Sequence, residues 1–220
     1  MKLDIHIHST FSVDGKATPR DILKKAKKIG LEGVCIADHN SLKGNAEARK
    51  IASEFGMTVI RGMEVSSLDG HILGYGIDQE VPKGLTSEET LQKIRDLGGM
   101  AVVAHPFRYW SGLGGEKTRF IKPDGIEALN HHSSRKVNAA GRKLCEEMKL
   151  PMTAGSDSHD TTTVGKAYVI IPDASSEDDV LKAIRSGKAK IGGSSRSMGY
   201  AVKDRILSIK QLTKRSFKKV

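Results

Sequence analysis

Apolar and polar positions along this chain follow two alternating periods, one of two residues and one of about 3.6 residues. Residues 3–8 alternate apolar and polar side chains, which predicts a first β-strand. Thr18 and Pro19 then form an N-cap and first-turn pair, and apolar residues at helical spacing continue as far as Gly30. The same strand–helix cycle recurs to the end of the chain. This alternation predicts an α/β fold with a parallel sheet, either a barrel or a doubly wound layer.

The remaining predicted elements follow from the same patterns. Later strands are predicted over residues 33–37, 58–63, 72–75, 100–104, 126–129, 152–154, 167–171 and 189–191. Later helices are predicted over residues 41–55, 86–97, 135–148 and 176–186. A hairpin turn is predicted at Asp69-Gly70, and the glycine-rich segment 107–122 is predicted to be a functional loop or lid.

Composition describes one ordinary domain with a charged end. The 220 residues are 38% hydrophobic and 28% charged, and we expect a single domain over residues 1–202. Residues 203–220 form a basic tail whose seven Lys or Arg and one acid supply six of the ten net positive charges. The tail could contact nucleic acid or another anionic surface, or it could be a solvated last helix. These readings stay open here.

The sequence also suggests a location. The N-terminal residues Met-Lys-Leu-Asp-Ile-His do not form the apolar core of a signal peptide, and no apolar run approaches the roughly 18 residues of a membrane span. The two cysteines provide no disulfide framework. We therefore expect a cytoplasmic protein without a membrane span.

Histidine is the informative residue type in this composition. Six of the eight histidines form a set with two acids, and all of these residues lie at or near predicted strand ends except His71, which lies in a turn. The carboxyl ends of parallel strands meet at one rim, so these side chains should be neighbours. The set is His6, His8, His39, Glu64, His71, His105, Asp157 and His159.

Imidazole and carboxylate donors without thiolates suit Zn, Mn or Fe rather than a cysteine-rich structural zinc site. Eight such donors exceed what one tetrahedral ion can use. We therefore expect two or three divalent metals, with at least one carboxylate bridging two of them. Asp4 is expected to support the strand beneath His6 and His8, and Asp38 is either a helix cap or an acceptor behind the ligands.

These residues occur in recognisable motifs: Asp-x-His-x-His-Ser from Asp4, Ala-Asp-His-Asn around His39, Gly-x-Glu at Glu64, His-Ile-Leu-Gly from His71, Ala-His-Pro around His105, and Gly-Ser-Asp-Ser-His ending at His159. In order and spacing they resemble the motifs of the PHP (polymerase and histidinol phosphatase) family over about residues 1–200. The resemblance implies a distorted (β/α)7 barrel, similar to a TIM barrel, with a trinuclear metal site at its C-terminal rim.

The resemblance also implies how the ligands divide. His6, His8, Glu64 and Asp157 resemble the ligands of one metal, and Glu64 bridges to a second metal held by His71 and His105. His39 and His159 resemble ligands of a third. The family often completes that third site with a histidine six residues after the second His of the His-x-His pair. Here the position is Asp14, whose carboxylate could still be a ligand.

Within the family, the stretch from Asp38 to Ala48 is most similar to small stand-alone phosphoesterases that act on nucleotides or short oligonucleotides. The resemblance implies hydrolysis of a phosphomonoester by a metal-activated hydroxide at Glu64 and Asp157. An exonuclease or oligonucleotide phosphodiesterase with the same site is the alternative. A non-catalytic RNA- or protein-binding barrel, or a deaminase or amidohydrolase on a related barrel, would be less consistent with the ligand set.

Candidate substrate contacts complete the prediction. A guanidinium group matches phosphate oxygens, which makes three arginines candidate phosphate clamps. Asn130 resembles a family position near the site that contacts the substrate or a metal-bound water. Either a metal-bound water or His131 could protonate the leaving group. The orientation of His132 stays open. The arginines are Arg108, Arg135 and Arg196.

Overall fold

The computed structural model describes residues 1–196, which form a mixed α/β fold. This part of the chain contains six helices and two five-stranded sheets. The strands are β1 (Lys2–Ile7), β2 (Gly33–Ile36), β3 (Thr58–Val59), β4 (Gly62–Ser66), β5 (His71–Tyr75), β6 (Met100–Val103), β7 (Gly125–Asn130), β8 (Met152–Gly155), β9 (Ala167–Ile170) and β10 (Lys190–Gly193). The helices are α1 (Pro19–Lys28), α2 (Lys43–Phe55), α3 (Ser87–Asp96), α4 (Gly115–Ile121), α5 (Arg135–Met148) and α6 (Glu177–Arg185).

The first sheet has the strand order β10-β9-β1-β2-β3, and the second has the order β4-β5-β6-β7-β8. Strands β1, β2 and β3 pair in parallel, as do β6, β7 and β8. The predicted parallel pairing is confirmed for these strands only. β5 runs antiparallel to β4 and β6, and β9 runs antiparallel to β1 and β10. The hairpin turn predicted at Asp69-Gly70 joins β4 to β5, whereas α3 lies between β5 and β6 and α6 lies between β9 and β10.

Local sequence signals fix several helix ends. Helix α2 ends at Gly56, which adopts the left-handed conformation with φ of 56° and closes the last turn. Three helices begin with a capping box, in which two side chains satisfy backbone N–H groups that the helix leaves unpaired. The paired residues are Thr18 with Asp21, Thr86 with Glu89, and Ser176 with Asp179.

Apolar side chains from both sheets share one core. Leu3 and Ile5 of β1 pack in the same buried cluster as Leu73 and Tyr75 of β5. The Tyr75 hydroxyl donates a hydrogen bond of 3.0 Å to the Ile5 carbonyl oxygen, which links one sheet to the other through the interior. Helices α1 and α2 cover the outer face of the first sheet, and α3 covers the second.

Two isolated bridges join the sheets at the carboxyl ends of β1 and β2. Ile7 pairs with Ser158, and His39 pairs with Glu64, both in parallel. The Asn40 N–H donates to the Glu64 carbonyl oxygen at 2.8 Å, and the His8 N–H donates to the Ser158 carbonyl oxygen at 2.8 Å. The two sheets therefore contact each other at two places, one after β1 and one after β2. We call the edge where these contacts lie the rim.

Two predicted elements differ from the structure. The strand predicted over residues 58–63 is divided into β3 and β4, so Glu64 lies inside β4 rather than after a strand. Gly62 allows β4 to pair closely with β5. A larger residue would not fit, because a Cβ atom at this position would lie only 2.7 Å from the Gly74 carbonyl oxygen. The predicted loop 107–122 contains α4, which packs Thr118 and Ile121 into the protein despite its two N-terminal glycines.

The predicted single domain over residues 1–202 and the tail over residues 203–220 extend beyond the described part of the chain. Across residues 1–196, every helix is too short or too polar to cross a bilayer.

Candidate metal centre at the rim

Strand β1 delivers two imidazoles to the rim. His6 lies within the strand and His8 directly after it, so both side chains project from the same face. Their Nε2 atoms lie 3.2 Å apart, and both side chains are fully buried. Asp157, which follows β8, places its Oδ1 atom 3.2 Å from the Nε2 atom of His8. These three residues form one donor cluster.

The Glu64 carboxylate lies between two sets of imidazoles. Its Oε1 atom is 3.1 Å from both the Nδ1 atom of His71 and the Nε2 atom of His105. Its Oε2 atom is 3.3 Å from the Nε2 atom of His8 and 3.2 Å from the Nδ1 atom of His39. Each carboxylate oxygen thus faces a different group of ring nitrogens.

His71 reaches this centre because β5 runs in the opposite direction to its neighbours. His71 is the first residue of β5 and pairs with Ser66, the last residue of β4. In an antiparallel pair, the start of one strand lies beside the end of the other. The turn position that sets His71 apart in the sequence therefore places it at the same rim as the other residues.

A third group of donors lies nearer to solvent. The Oδ2 atom of Asp14 is 3.0 Å from the Nε2 atom of His159 and 3.7 Å from the Nε2 atom of His39. The Asp14 side chain is 43% exposed, in contrast to the buried Glu64. His8 completes this cluster of four.

Glu127 is a buried residue of this centre that the sequence analysis missed. Its Oε1 atom lies 2.8 Å from the Nδ1 atom of His6, and its Oε2 atom accepts hydrogen bonds from the His105 N–H at 3.0 Å and the Asn130 amide at 2.9 Å. A carboxylate on one ring nitrogen fixes the tautomer and leaves the other nitrogen free to bind a metal. The only available signal is an acid within the apolar strand 126–129.

Arg108 and Asn130 both contact Asp157. One terminal nitrogen of Arg108 donates to the Asp157 Oδ2 atom at 2.6 Å and to the Asn130 Oδ1 atom at 2.8 Å. The Asn130 amide also donates to the Asp157 Oδ2 atom at 3.2 Å. These contacts occupy Oδ2 and leave Oδ1 directed at His6 and His8.

Asp4 and Asp38 hold backbone groups. Asp4 accepts hydrogen bonds from the N–H groups of Ser156 at 2.9 Å and Gly165 at 2.7 Å, which attaches β1 to the segment after β8. Asp38 accepts hydrogen bonds from the N–H and the hydroxyl of Ser9, the residue that follows His8. Both carboxylates therefore support the chain around the His-x-His pair.

The remaining predicted contacts lie at the margin of the centre. The His132 ring centroid is 5.7 Å from that of His159, whereas the Nδ1 atom of His131 lies 2.7 Å from the Ser194 carbonyl oxygen. The Arg196 N–H donates to the His131 carbonyl oxygen at 2.7 Å. Arg135 is the exposed first residue of α5. His132 is thus the one of the two adjacent histidines that faces the centre.

Two residues of the centre have strained backbones. His105 and Asp157 have φ values of 28° and 54°, a region that residues with a Cβ atom rarely adopt. Such conformations persist only where surrounding contacts enforce them, and they concentrate at functional sites. The Glu127 hydrogen bond to the His105 N–H is one such contact.

Opposite charges and burial shift the pKa values of this centre. Burial lowers the pKa of His8, but the hydrogen bonds that its ring donates to Asp157 and Glu64 outweigh burial and raise that pKa to about 9. Burial raises the pKa of Glu64, but the surrounding histidines, His6 foremost, hold it well below its usual range. For His39, burial prevails and lowers the pKa to about 4.

The donor set fits divalent metal ions. The His39 Nδ1 atom is buried and has no hydrogen-bond partner, although it lies 3.2 Å from the Glu64 Oε2 atom. An imidazole nitrogen and a carboxylate oxygen that approach without hydrogen-bond geometry are arranged as two ligands of a common ion would be. The predicted donors fall into four overlapping clusters whose atoms lie within 4.8 Å of one another. Nitrogen and oxygen donors of this kind suit Zn, Mn or Fe.

Known proteins are similar to this chain in sequence and in fold. The PHP domain matches residues 4–137, and a PHP-associated domain matches residues 136–189. An uncharacterized protein of Methanocaldococcus jannaschii, MJ1587, is 38% identical over 160 residues, which cover 67% of this chain and 94% of the relative. A 3',5'-nucleoside bisphosphate phosphatase of Chromobacterium violaceum is 35% identical over 105 residues, which cover 44% of this chain but only 36% of that protein.

Among solved structures, a two-domain protein of Bacteroides vulgatus that contains a PHP-like metal-dependent phosphoesterase aligns with a TM-score of 0.74 at 19% identity. The alignment covers 88% of this chain and 65% of that one. The match of the PHP domain to more than half of the chain confirms the resemblance seen in the motifs, and the chain belongs to the PHP family.

Proposed function

We propose that this chain hydrolyses a phosphomonoester of a nucleotide or another small organic phosphate with the help of two or three divalent metals. The observation that carries the proposal is the Glu64 carboxylate, each of whose oxygens faces a separate group of ring nitrogens. A buried carboxylate in this position is suited to bridging two cations and has no evident role in packing.

Three groups of residues would hold the ions. His6, His8 and Asp157 would bind the first together with Glu64, and His71 and His105 would bind the second with Glu64. Asp14, His39 and His159 would bind the third. When bound, such ions would polarise the phosphoryl group and supply a nucleophile at neutral pH.

The surrounding residues would keep the centre in one geometry. Glu127 fixes the ring of His6, and Arg108 and Asn130 turn the Asp157 carboxylate so that one oxygen faces the histidines. Arg108 uses one terminal nitrogen for these contacts, which leaves its other N–H groups for phosphate oxygens. His131, Arg135 and Arg196 stay proposed substrate contacts at the margin.

The arrangement of the two sheets bears on the predicted barrel. The two sheets meet on two sides at the rim and have helices on their outer faces, so we propose that together they form a distorted (β/α)7 barrel. A cytoplasmic location and the boundary of the domain at residue 202 stay proposals from sequence. Contact with nucleic acid through residues 203–220 has no support in the comparisons, and this tail lies outside the described residues.

The direct test is a phosphate-release screen over nucleotides, sugar phosphates, histidinol phosphate and oligonucleotides, with Mn, Zn and Fe added in turn. We expect metal-dependent release from at least one monoester, and its loss in Glu64→Gln. Glu116→Gln is a matched control, because that carboxylate is exposed on α4. Stoichiometric metal binding without release from any substrate would contradict the proposal.

The same screen separates the monoesterase from an exonuclease or oligonucleotide phosphodiesterase. A nuclease that relies on contacts along the strand should prefer oligonucleotides and should lose activity as salt rises. Equal activity on a nucleoside monophosphate and an oligonucleotide, maintained at high salt, would exclude the nuclease.

A further inference from the structure

The tip of the predicted loop segment carries two exposed aromatic rings. Tyr109 is 85% exposed and Trp110 is 88% exposed, and their ring centroids lie 4.7 Å apart in an edge-to-face arrangement. By contrast, Tyr75 is almost fully buried in the core. The exposed pair therefore contributes little to folding, and its presence on the surface needs another explanation.

Both flanks of this tip are attached to the candidate metal centre. On one side, Arg108 donates a hydrogen bond of 2.6 Å to the Asp157 carboxylate. On the other side, the Ser111 carbonyl oxygen accepts a hydrogen bond of 2.9 Å from the His71 N–H, and the Ser111 hydroxyl lies 3.5 Å from the His105 Nδ1 atom. The aromatic residues therefore lie one and two residues away from groups that touch the proposed ligands.

The backbone of the tip is tightly turned. The Gly112 N–H donates to the Arg108 carbonyl oxygen at 2.9 Å, and a Cβ atom at Gly112 would lie 2.3 Å from the Pro106 carbonyl oxygen. These contacts fix the backbone that carries Tyr109 and Trp110 beside the rim. Rings that are positioned in advance bind a flat partner with a smaller loss of conformational entropy.

We propose that Tyr109 and Trp110 form a stacking surface for a planar ring in the substrate, so that the preferred ester is a nucleoside or aryl phosphate rather than an aliphatic one. This inference rests on the proposed phosphoesterase function. The phosphate would lie at the metal centre and beside Arg108, and the ring would lie against the exposed aromatic pair. Aromatic side chains bind nucleobases in this way with little preference for sequence.

Trp110 allows this proposal to be tested without turnover, because it is the only tryptophan in the chain. The metal-loaded protein is titrated with the phosphonate analogue of a nucleoside monophosphate while tryptophan fluorescence is recorded. We expect saturable quenching by this probe and none by methylphosphonate, which has the same anionic group but no ring. Equal responses to both probes would overturn the proposal.

Steady-state kinetics provide the second readout. In Trp110→Ala and Tyr109→Ala, we expect KM for a nucleoside monophosphate to rise about tenfold, while KM for glycerol phosphate and the melting temperature stay unchanged. Phe120→Ala is a matched control, because this ring is also exposed but lies on α4. An equal loss on both substrates would assign the tip a structural role and contradict stacking.

Two further outcomes distinguish this inference from its alternatives. If fluorescence changes with protein concentration alone and the protein self-associates in light scattering, the pair is an interface between copies and the proposal is wrong. If the nucleoside phosphonate quenches saturably but no substrate is hydrolysed, the stacking surface stands and the phosphoesterase proposal fails.

Discussion

The deep and outer parts of the rim differ in how firmly the fold holds them. The deep cluster consists of His6, His8, Glu64, His105 and Asp157, all of them buried. Glu127, Asn130 and Arg108 hold three of its members from behind. The outer cluster consists of Asp14, His39 and His159, which are part-exposed and contact one another mainly through Asp14. We expect the deep cluster to be pre-organised and the outer one to be more easily vacated.

The largest effect should follow from breaking the deep cluster at its shared carboxylate. Glu64→Gln removes a charge that faces five imidazoles and should lower kcat/KM about 10³-fold, because several kcal/mol of charge stabilisation are lost. Phosphate release under saturating metal measures this loss. Retention of activity within a factor of ten, with Glu116→Gln as the reference, would show that Glu64 does not bridge metals.

A smaller effect should follow when the support behind the deep cluster is weakened. Glu127→Gln keeps the size of the side chain but weakens the hydrogen bond that orients His6, and we expect metal affinity to fall about 10- to 100-fold. Competition with a chromophoric chelator measures that affinity, and excess metal should restore activity. Unchanged affinity would mean that His6 is oriented by packing alone.

A change in the outer cluster should have a weaker effect still. Asp14→Ala should lower activity about tenfold and reduce the bound metal by one ion per chain, as measured by elemental analysis, because only this cluster loses a ligand. Asp14→His places the residue that the family often has at this position and should restore the missing ion. A full complement of metal in Asp14→Ala would show that Asp14 is not a ligand.

The smallest effect concerns Asp179, a carboxylate outside both clusters, where only stability should change. Hydrogen bonds from Ser175 and Ser176 at the start of α6 lower the pKa of Asp179 from 3.8 to about 2. A lowered folded-state pKa stabilises the protein above the unfolded-state value, and this stabilisation is lost as pH falls from about 4 to 2. The difference in urea midpoint between the wild type and Asp179→Asn should therefore shrink over that range. A constant difference would contradict this assignment.

Much of the deep cluster could be predicted from sequence because strand geometry is periodic. An Asp-x-His-x-His strand places alternate side chains on one face, and residues just after parallel strands meet at one edge. His71 broke that rule in the sequence, although the hairpin turn predicted at Asp69-Gly70 implied that β5 reverses direction beside β4. The pattern did not show that the first residue of this reversed strand lies at the same edge as the other candidate ligands.

The supporting residues could not be predicted in the same way. Glu127 is a single acid in a strand whose neighbours are apolar, and only the three-dimensional contacts separate it from an accidental polar residue. A guanidinium group binds a carboxylate as well as a phosphate, so the contact of Arg108 with Asp157 could not be predicted from sequence. Helix α4 was missed because glycines oppose helix formation, an effect that burial of Thr118 and Ile121 overcomes.

The positions of the ligands along the chain have a consequence for the order of folding. Glu64 and His71 are seven residues apart in one hairpin, whereas Ser156, next to Asp157, and His6 are separated by 150 residues. Local contacts form early, and contacts between distant segments form late. The hairpin can therefore present a nascent pair of donors soon after synthesis, but the first site is complete only when the two ends of the domain have met. An ion bound there would hold the two ends of the domain together and would slow their separation during unfolding.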